Sequence, residues 1–313
     1  MTTNKKTLSG NATPLARHSG NPWVVALRRL FRQRSAIIGM IMLGSLVFTA
    51  IFAPLIAPYD PIEVLIGKEP VKKREPPCIH LLGCPEDQPQ HIMGIDGNVR
   101  DVFSRVVYGT RISLFIGFIT IGLAVIVGTL LGSIAGYAGG WASDWVIMRV
   151  MDVVLAFPFL LLAIAIVAVL GPGLVNAMLA IAIVNIPTYA RVIRSTVLSV
   201  KEEEYVTAAR SIGVGNSRIL SLHVLPNSVP PLIVAATLGI GTAILETAAL
   251  SFLGLGAQPP TPEWGAMLAS ERNQVFSAPH LVFFPGLAIM ITVLGFNLLG
   301  DGLRDALDPR LRL

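Results

Sequence analysis

Glu246 is the ionisable side chain with the most unusual setting in this chain of 313 residues. It directly follows the uncharged, apolar run 224–245. An ionisable group in such a place is by default a candidate for lining a substrate or ion pathway. The alternative is a structural role, in which its carboxylate pairs with a neighbouring helix or with Asn297. Two further polar residues in or beside apolar runs complete the set of candidate pathway residues: Asn185 and Asp152.

The two cysteines, Cys78 and Cys84, are the next residues that could do chemistry, with five residues between them. In an oxidising compartment they could form a disulfide, and free thiols are the second interpretation. A zinc site with His80 and His91 is a third, but its ligand set would be incomplete. We favour the disulfide, which would close only a short loop, and we predict no metal site.

Motifs for nucleotide hydrolysis and for common hydrolases are absent. The chain contains no G-x-x-x-x-G-K-[ST] phosphate loop, no HExxH and no GxSxG. The glycines of 128–132 lie in an apolar run without the lysine, which is typical of close helix packing. We therefore predict that the chain is not an enzyme and has no cofactor.

The composition indicates a membrane protein. Hydrophobic residues make up 53% of the chain and charged residues 14%, whereas a soluble domain carries about 25% charged residues. The longest uncharged run, 153–190, exceeds the roughly 20 residues of one span, so Gly171-Pro172-Gly173 must divide it. Phe157-Pro158 should kink the third span. The sequence predicts an all-α membrane protein with six spans, at 36–57, 112–137, 150–170, 174–194, 229–256 and 281–303.

The lysines and arginines predict the orientation. If the N-terminal residues are cytoplasmic, 16 of the 24 basic residues lie on that side, as the positive-inside rule expects. Both termini are then cytoplasmic: 1–34 is a tail with a basic flank, 35–57 contains the first transmembrane helix, and 58–111 is an extracytoplasmic loop. Periodic apolar residues in that loop predict an interfacial helix over 98–108. The scattered positive charge speaks against a nucleic-acid partner.

A polar, helix-prone segment, 199–226, lies between the fourth and fifth spans. Ser199 and Glu202 have the spacing of a capping box, which would begin a first helix. Gly213 should end it, because glycine adopts left-handed conformations at low cost. A second short helix is expected over 217–225, separated by prolines from the fifth span.

One face of the first helix suits contact with another protein. Tyr205, Ala208, Ala209 and Ile212 are predicted to share it, and small alanines permit a close approach of a partner's backbone.

The pattern Ala208-Ala209, Gly213 and Val224-Leu225-Pro226 resembles the EAA loop by which permeases of binding-protein-dependent ABC importers dock on their ATPases. Residues 91–114, 250–256 and 300–310 resemble further signatures of dipeptide and oligopeptide permeases. Four positions differ from the family pattern. Thr207 replaces its glutamate, for which Glu204 could substitute, and Val99 replaces a glycine. Ile95 and Asn98 stand where the family usually has threonine and a small or polar residue. The resemblance implies these coupling residues: Glu204, Tyr205, Thr207, Ala208, Ala209, Arg210, Gly213, Leu225 and Pro226.

The resemblance is to the second, C-type permease subunit of bacterial dipeptide, oligopeptide or nickel ABC importers. It implies a permease core over 112–313, with a cytoplasmic coupling loop between spans four and five, in the bacterial inner membrane. The implied partners are a homologous permease, two cytoplasmic ABC ATPases, an extracytoplasmic solute-binding protein and the lipid bilayer. Peptide-type cargo is expected, with nickel or glutathione as alternatives.

The sequence also permits two other functions. An ion-driven secondary transporter would have charged sites near the midplane of paired halves, whereas one glutamate and an elaborate polar segment argue against it. A non-transporting membrane scaffold would not need an ATPase that binds through 202–216, so deletion of that segment and co-purification of an ATPase would distinguish the two.

Overall fold

The computed structural model of the chain describes residues 22–138 and 141–307. Most of the predicted tail 1–34, and the last residues of the C-terminal signature 300–310, lie outside these ranges. The α-helices of the described part are α1 (Pro22–Leu30), α2 (Arg34–Ile51), α3 (Ala53–Ile56), α4 (Val102–Tyr137), α5 (Trp141–Leu155), α6 (Phe159–Leu170), α7 (Leu174–Val200), α8 (Glu204–Ser211), α9 (Asn216–Ile219), α10 (Leu225–Phe252), α11 (Trp264–Glu271) and α12 (His280–Leu307). Three short segments form other helical turns: the 3-10 turn His80–Leu82 in the loop between α3 and α4, the π-helical turn Leu220–Val224 before α10, and the 3-10 turn Arg272–Gln274 after α11.

The described residues contain five helices that are long and apolar enough to cross a membrane. They are α2, α4, α7, the continuous run Asn216–Phe252 and α12. The bent pair α5 and α6 brings the number to six if it forms one span. The all-α membrane fold predicted from the sequence is therefore confirmed.

The third predicted span is broken rather than kinked. Helices α5 and α6 meet at an angle of 94°. Pro158 stands at the N-cap of α6 with an extended ψ of 127°. Proline has no N–H to donate and disfavours a helical conformation in the residue before it. The chain therefore stops one helix before Phe157-Pro158 and starts another after it.

Helix α4 begins earlier than the second predicted span, and the prediction of a separate interfacial helix over 98–108 is wrong. Residues 102–108 form the first turns of a single helix of 36 residues. Asp101 caps it, because its carboxylate accepts a 2.7 Å hydrogen bond from the backbone N–H of Ser104. At about 1.5 Å per residue, α4 exceeds the roughly 30 Å hydrocarbon layer, so it extends beyond that layer.

Two expectations for 199–226 are also wrong. Ser199 belongs to α7, and α8 starts after Glu203 without a side-chain cap, so the predicted capping box does not form. The second short helix does not end at Pro226. It passes through a π-helical turn, Leu220–Val224, directly into α10. Pro226 lies at the start of α10, directly after this turn, and its missing N–H removes one hydrogen bond from the continuous run Asn216–Phe252.

Helices α4 and α7 approach each other through glycines spaced four residues apart. A Cβ atom on Gly128 would lie 2.8 Å from the Cβ of Tyr189, and one on Gly136 would lie 2.9 Å from Cγ1 of Val197. Between them, a Cβ on Gly132 would collide with the carbonyl oxygen of Ala190. Small residues allow this approach, which favours association of helices in lipid.

Replacing Gly132 by alanine should therefore separate α4 from α7. The added methyl group meets backbone atoms that cannot rotate away, so we expect a loss of about 1–3 kcal/mol of stability, as in overpacked cores. The melting temperature of the purified protein in mild detergent measures the effect.

Gly122→Ala is the matched control, because it adds the same methyl group on the same helix with no atom within 4 Å. Equal melting temperatures for the two variants would contradict the role of the close approach.

Candidate functional site

Helix α8 has an exposed apolar side and a buried side. Tyr205 is 43% exposed and Ile212, just after the helix, is 81% exposed; Ala208 between them is also exposed. In contrast, Ala209 is only 9% exposed and Val206 is fully buried. The prediction that Ala209 shares the face of Tyr205, Ala208 and Ile212 is therefore wrong. The free face has only the other three residues.

The buried side of α8 packs on the chain's own core. Val206 and Ala209 belong to the same cluster as Val197 near the end of α7, and as Ile219 and Val224 of the segment that follows. This packing turns the polar residues outward, and Glu204, Thr207 and Arg210 are all exposed.

Gly213 ends α8 as expected. Its φ of 81° is left-handed, and its N–H donates to the carbonyl of Arg210 at 3.0 Å. The next N–H, of Val214, donates to Ala209 at 3.2 Å. A Cβ at Gly213 would meet nothing within 4 Å, so the backbone conformation alone favours glycine here.

The predicted coupling residues Leu225 and Pro226 begin α10, just after the π-helical turn. The carbonyls of this turn accept hydrogen bonds from side chains, Ser228 donating to Val224 at 2.9 Å and Asn227 to His223 at 2.7 Å. π-Helical turns inside helices are rare and frequent at functional sites.

Tyr205 connects α8 to the same turn. Its hydroxyl lies 3.5 Å from the carbonyl oxygen of His223. Burial, and next the charge of Glu203, raise the pKa of Tyr205 above its ordinary value. The phenol therefore stays neutral and can donate.

Two contacts connect the segment to the end of α4. The ammonium of Lys201 donates to the carbonyl of Gly136 at 3.0 Å, and the hydroxyl of Tyr137 donates to Asn216 at 3.4 Å. The end of α4, the end of α7 and α8 to α9 thus lie at one end of the bundle.

The structure brings together two of the three candidate pathway residues. The side-chain amide of Asn185 on α7 donates to Glu246 on α10 at 3.2 Å, and to the carbonyl of Ile181 at 3.0 Å. The partner of Glu246 is therefore Asn185 of the neighbouring helix α7, and not Asn297. Asp152 lies elsewhere, on α5, where it pairs with Arg191 at 2.6 Å.

A polar cluster at the opposite end of the bundle was not recognised from the sequence. The ring of His91 is 3% exposed and lies between two carboxylates. Its Nδ1 is 2.9 Å from Asp101, the cap of α4, and its Nε2 is 3.1 Å from Glu69. Tyr59 donates its hydroxyl to the other oxygen of Glu69 at 3.0 Å.

The titration of this cluster follows from its contacts. Burial acts to lower the pKa of His91, but hydrogen bonds and charge from Asp101, then Glu69, outweigh burial and raise it above 6.5. Burial, followed by the bond to Glu69, raises the pKa of Tyr59 to about 12. With an acceptor at each ring nitrogen, the imidazolium form satisfies both carboxylates.

Asp96 organises the loop next to this cluster. Its carboxylate accepts from the N–H groups of Asn98 and Arg100, each at 2.9 Å, and from the guanidinium of Arg100 at 2.8 Å. Arg105 lies 3.6 Å away and also donates to the carbonyl of Pro61 at 2.7 Å. Asp96, Asn98, Arg100 and Arg105 belong to the signature 91–114. That signature was the one feature of the sequence that could have indicated this polar cluster.

Val99 occupies a position where the family pattern has glycine. The backbone conformation of Val99 shows why glycine suits this position. Its φ of 59° is left-handed, a conformation that a β-branched residue adopts at a cost. The side chain is 2% exposed and packs with Leu65 and Ile95. Burial of this apolar side chain offsets the backbone strain.

Helix α11 packs at the same end of the bundle. Glu263 caps it by accepting from the N–H groups of Gly265 and Ala266 at 2.9 and 2.8 Å, and burial raises the pKa of Glu263. The indole of Trp264 donates to the carbonyl of Val106 on α4 at 3.1 Å. Glu271 pairs with Arg74 at 2.9 Å.

Cys78 and Cys84 are placed as a disulfide requires, with Cα atoms 5.4 Å apart. Their pairing in the cell stays a prediction. Among residues 22–138 and 141–307, no three His, Cys, Asp or Glu side chains are grouped as a metal site needs, so the structure suggests no ligand set there.

Known proteins similar to this chain share its family and its fold. Residues 128–313 match the profile of the family described as binding-protein-dependent transport system inner membrane component. Residues 21–77 match the N-terminal TM domain of oligopeptide transport permease C. A chain of the MetNI methionine ABC transporter, in an inward-facing conformation, superposes with a TM-score of 0.55 at 18% identity, covering 65% of this chain and 96% of that one. At that identity the likeness shows the fold.

Curated relatives are much closer in sequence. The dipeptide transport system permease protein DppC of Alkalihalophilus pseudofirmus is 51% identical, over 93% of this chain and 91% of that protein. The di/tripeptide permease DppC of Pseudomonas aeruginosa is 48% identical, over 89% of each chain. The glutathione permease GsiD of Escherichia coli is 46% identical, over 96% of each chain.

Fold and similarity together define a multi-pass inner-membrane permease subunit of an ABC importer. The chain belongs to the binding-protein-dependent transport system inner membrane component family and resembles its C-type peptide permeases. In such transporters ATP hydrolysis belongs to the partner ATPases.

The His91 cluster predicts a pH-dependent stability. Because the folded pKa of His91 is raised, its contribution is complete below the ordinary value of 6.5 and is lost as pH rises through the folded pKa. We expect the melting temperature of the purified complex to fall as the pH rises above 6.5 through the raised pKa of His91.

His91→Gln is the test variant, since glutamine is polar but does not titrate. Its melting temperature should be lower than that of the wild type at the acidic end and should change less with pH. An unchanged pH dependence in the variant would show that other groups cause it.

Proposed function

We propose that this chain is the second permease subunit of a peptide importer and carries dipeptides or short oligopeptides across the inner membrane. The observation that supports this most strongly is the similarity, over nearly the whole chain, to permeases named for dipeptide, di/tripeptide and glutathione transport. All three named cargoes are short peptides. Glutathione is therefore a cargo of the same chemical class, whereas nickel is favoured by none of these three relatives.

The proposed orientation places 199–226 and both termini in the cytoplasm and the loop 58–111 outside. The distribution of basic residues supports it. A disulfide between Cys78 and Cys84 suits an oxidising exterior. The proposed complex contains a homologous permease, two cytoplasmic ATPases docked on the permeases, and an external solute-binding protein. This chain itself hydrolyses no ATP.

Helix α8 is the proposed contact with one ATPase. Its free face is apolar, formed by Tyr205, Ala208 and Ile212, and it lies at one end of the bundle beside Lys201 and Asn216. Closure of the ATPases on ATP moves α8, and α7 transmits the movement because it runs into α8 with only three residues between them. The spans would change from an inward-open to an outward-open arrangement. The free energy for this change must come from a difference in the affinity of ATP for the two arrangements.

For the pathway candidates we propose a structural role. Glu246 and Asn185 connect α10 to α7, and Asp152 connects α5 to α7 through Arg191. Each therefore has a partner within this chain, which favours helix positioning over contact with cargo.

Ala208→Trp tests the docking helix. The residue is exposed, so the indole should leave the fold intact while it prevents a close approach of the ATPase. We expect loss of ATPase co-purification and of ATP-driven uptake of a labelled dipeptide, with the permease still present in the membrane at the wild-type level.

Lys73→Trp provides the control, since it adds the same side chain to an exposed position in the loop at the other end of the bundle. It should keep the ATPase. Ala209→Trp is unsuitable, because Ala209 is buried and an indole there disrupts the fold itself. Normal ATPase binding by Ala208→Trp would refute the docking assignment.

Glu246→Gln and Glu246→Leu distinguish the two roles of that residue. Glutamine still accepts the hydrogen bond from Asn185, so a structural role predicts uptake close to wild type. Leucine leaves the Asn185 amide without this acceptor, at a cost of about 1–3 kcal/mol, measurable as a lower melting temperature. Complete loss of uptake in the glutamine variant, at normal stability, would instead indicate contact with cargo.

A further inference from the structure

A polar cavity between α5 and α7 has no role in the function proposed above. Its volume is about 580 Å³. It lies on the part of α7 that leads into α8, and so toward the end of the bundle that carries the coupling segment. Six of its lining side chains matter for its chemistry: Asp144, Trp145, Arg149, Asp152, Arg191 and Arg194.

The charges of this cavity are only partly balanced. Arg194 makes a two-point contact with Asp144, at 2.6 and 2.7 Å, and Arg191 pairs with Asp152 at 2.6 Å. Both carboxylates are thus already occupied by cations. In the part of the chain that the structure describes, Arg149 has no carboxylate within ion-pair distance, and its guanidinium lies 5.8 Å from the ring centre of Trp145. The cavity therefore has one positive charge in excess.

An apolar surface borders the cavity on α5. Val146, Val150 and Val153 recur at four and three residues, as one helix side requires. They are 52%, 52% and 56% exposed. A basic recess beside an exposed apolar stripe matches a ligand with an anionic head and a hydrocarbon tail. A small soluble anion would bind in the basic recess and leave the apolar stripe uncovered.

We propose that this cavity binds the phosphate headgroup of an anionic membrane lipid, with its acyl chains along the valine side of α5. Basic pockets between transmembrane helices recognise such headgroups, and an arginine fork suits phosphate oxygens. Arg149 supplies the uncompensated charge, and the tryptophan beside it is typical of the membrane–water interface. The inference depends on the membrane location and not on the identity of the cargo.

Native mass spectrometry of the complete importer tests the proposal. The complex is delipidated in mild detergent and incubated with phosphatidylglycerol, with phosphatidylcholine, or with inorganic phosphate alone. Retention of phosphatidylglycerol on this subunit, with little phosphatidylcholine, is the expected result. Equal retention of both lipids would overturn the proposal, and binding of inorganic phosphate with the same affinity would identify a soluble-anion site instead.

Two variants with opposite expectations exclude misfolding as the explanation. Arg149→Gln should weaken phosphatidylglycerol binding about five-fold, the effect of one basic residue near a membrane surface. Asp152→Asn releases Arg191 from its carboxylate and should strengthen binding, which a damaged fold cannot do. Arg272→Gln, which alters an exposed arginine directly after α11 and outside the cavity, should leave phosphatidylglycerol binding unchanged. Wild-type binding by both cavity variants would refute the site.

Discussion

The close approach of α4 to α7 is the contact on which the rest of the molecule depends. Within lipid, burying one apolar side chain against another replaces one hydrocarbon contact by another, so helices must associate through tight packing and hydrogen bonds. Gly128, Gly132 and Gly136 let the backbone of α4 lie directly against Tyr189, Ala190 and Val197. Helices α2 and α12 also meet through three glycines, Gly39, Gly295 and Gly302, but these are divided between the two helices, whereas α4 supplies all three at its contact with α7. Because α7 leads into α8 and α4 receives the hydrogen bond from Lys201, the proposed movement of α8 would reach both helices together.

The same helix, α4, connects this end of the bundle with the polar cluster at the other. Asp101 caps its first turn and accepts from His91, while Trp264 of α11 donates to its first carbonyls. The buried charges there are all paired or hydrogen-bonded, which burial of a charge demands. A long helix fixed at its beginning by polar contacts and packed near its end by glycines can transmit a tilt along its length. This geometry suits a protein that must couple events on the two sides of a membrane.

The spans were predictable because hydrophobic length is a property of the local sequence. Contacts between distant residues were not. Asn185 and Glu246 are 61 positions apart, and no local pattern specifies that pair over Asn297. Two adjacent alanines lie about 100° apart around a helix, so composition alone could not show that Ala208 faces outward and Ala209 inward. Periodicity over 98–108 correctly indicated a helix, but it could not reveal that this helix continues into the second span.

The substitution of Thr207 for the family's glutamate bears on how a docking helix can work here. If α8 is that helix, as proposed, position 207 offers no charge to an ATPase. The other outward side chains are the charged Glu204 and Arg210 and the apolar face of Tyr205, Ala208 and Ile212. Exposed ion pairs contribute about 0–1 kcal/mol and weaken with salt, whereas burying Ile212, now 81% exposed, contributes about 1.5–3 kcal/mol. The loss of one surface charge is therefore the smaller effect. Recognition then depends mainly on shape at Ala208 and on apolar burial at Tyr205 and Ile212, and Glu204 and Arg210 are the charges that salt would screen.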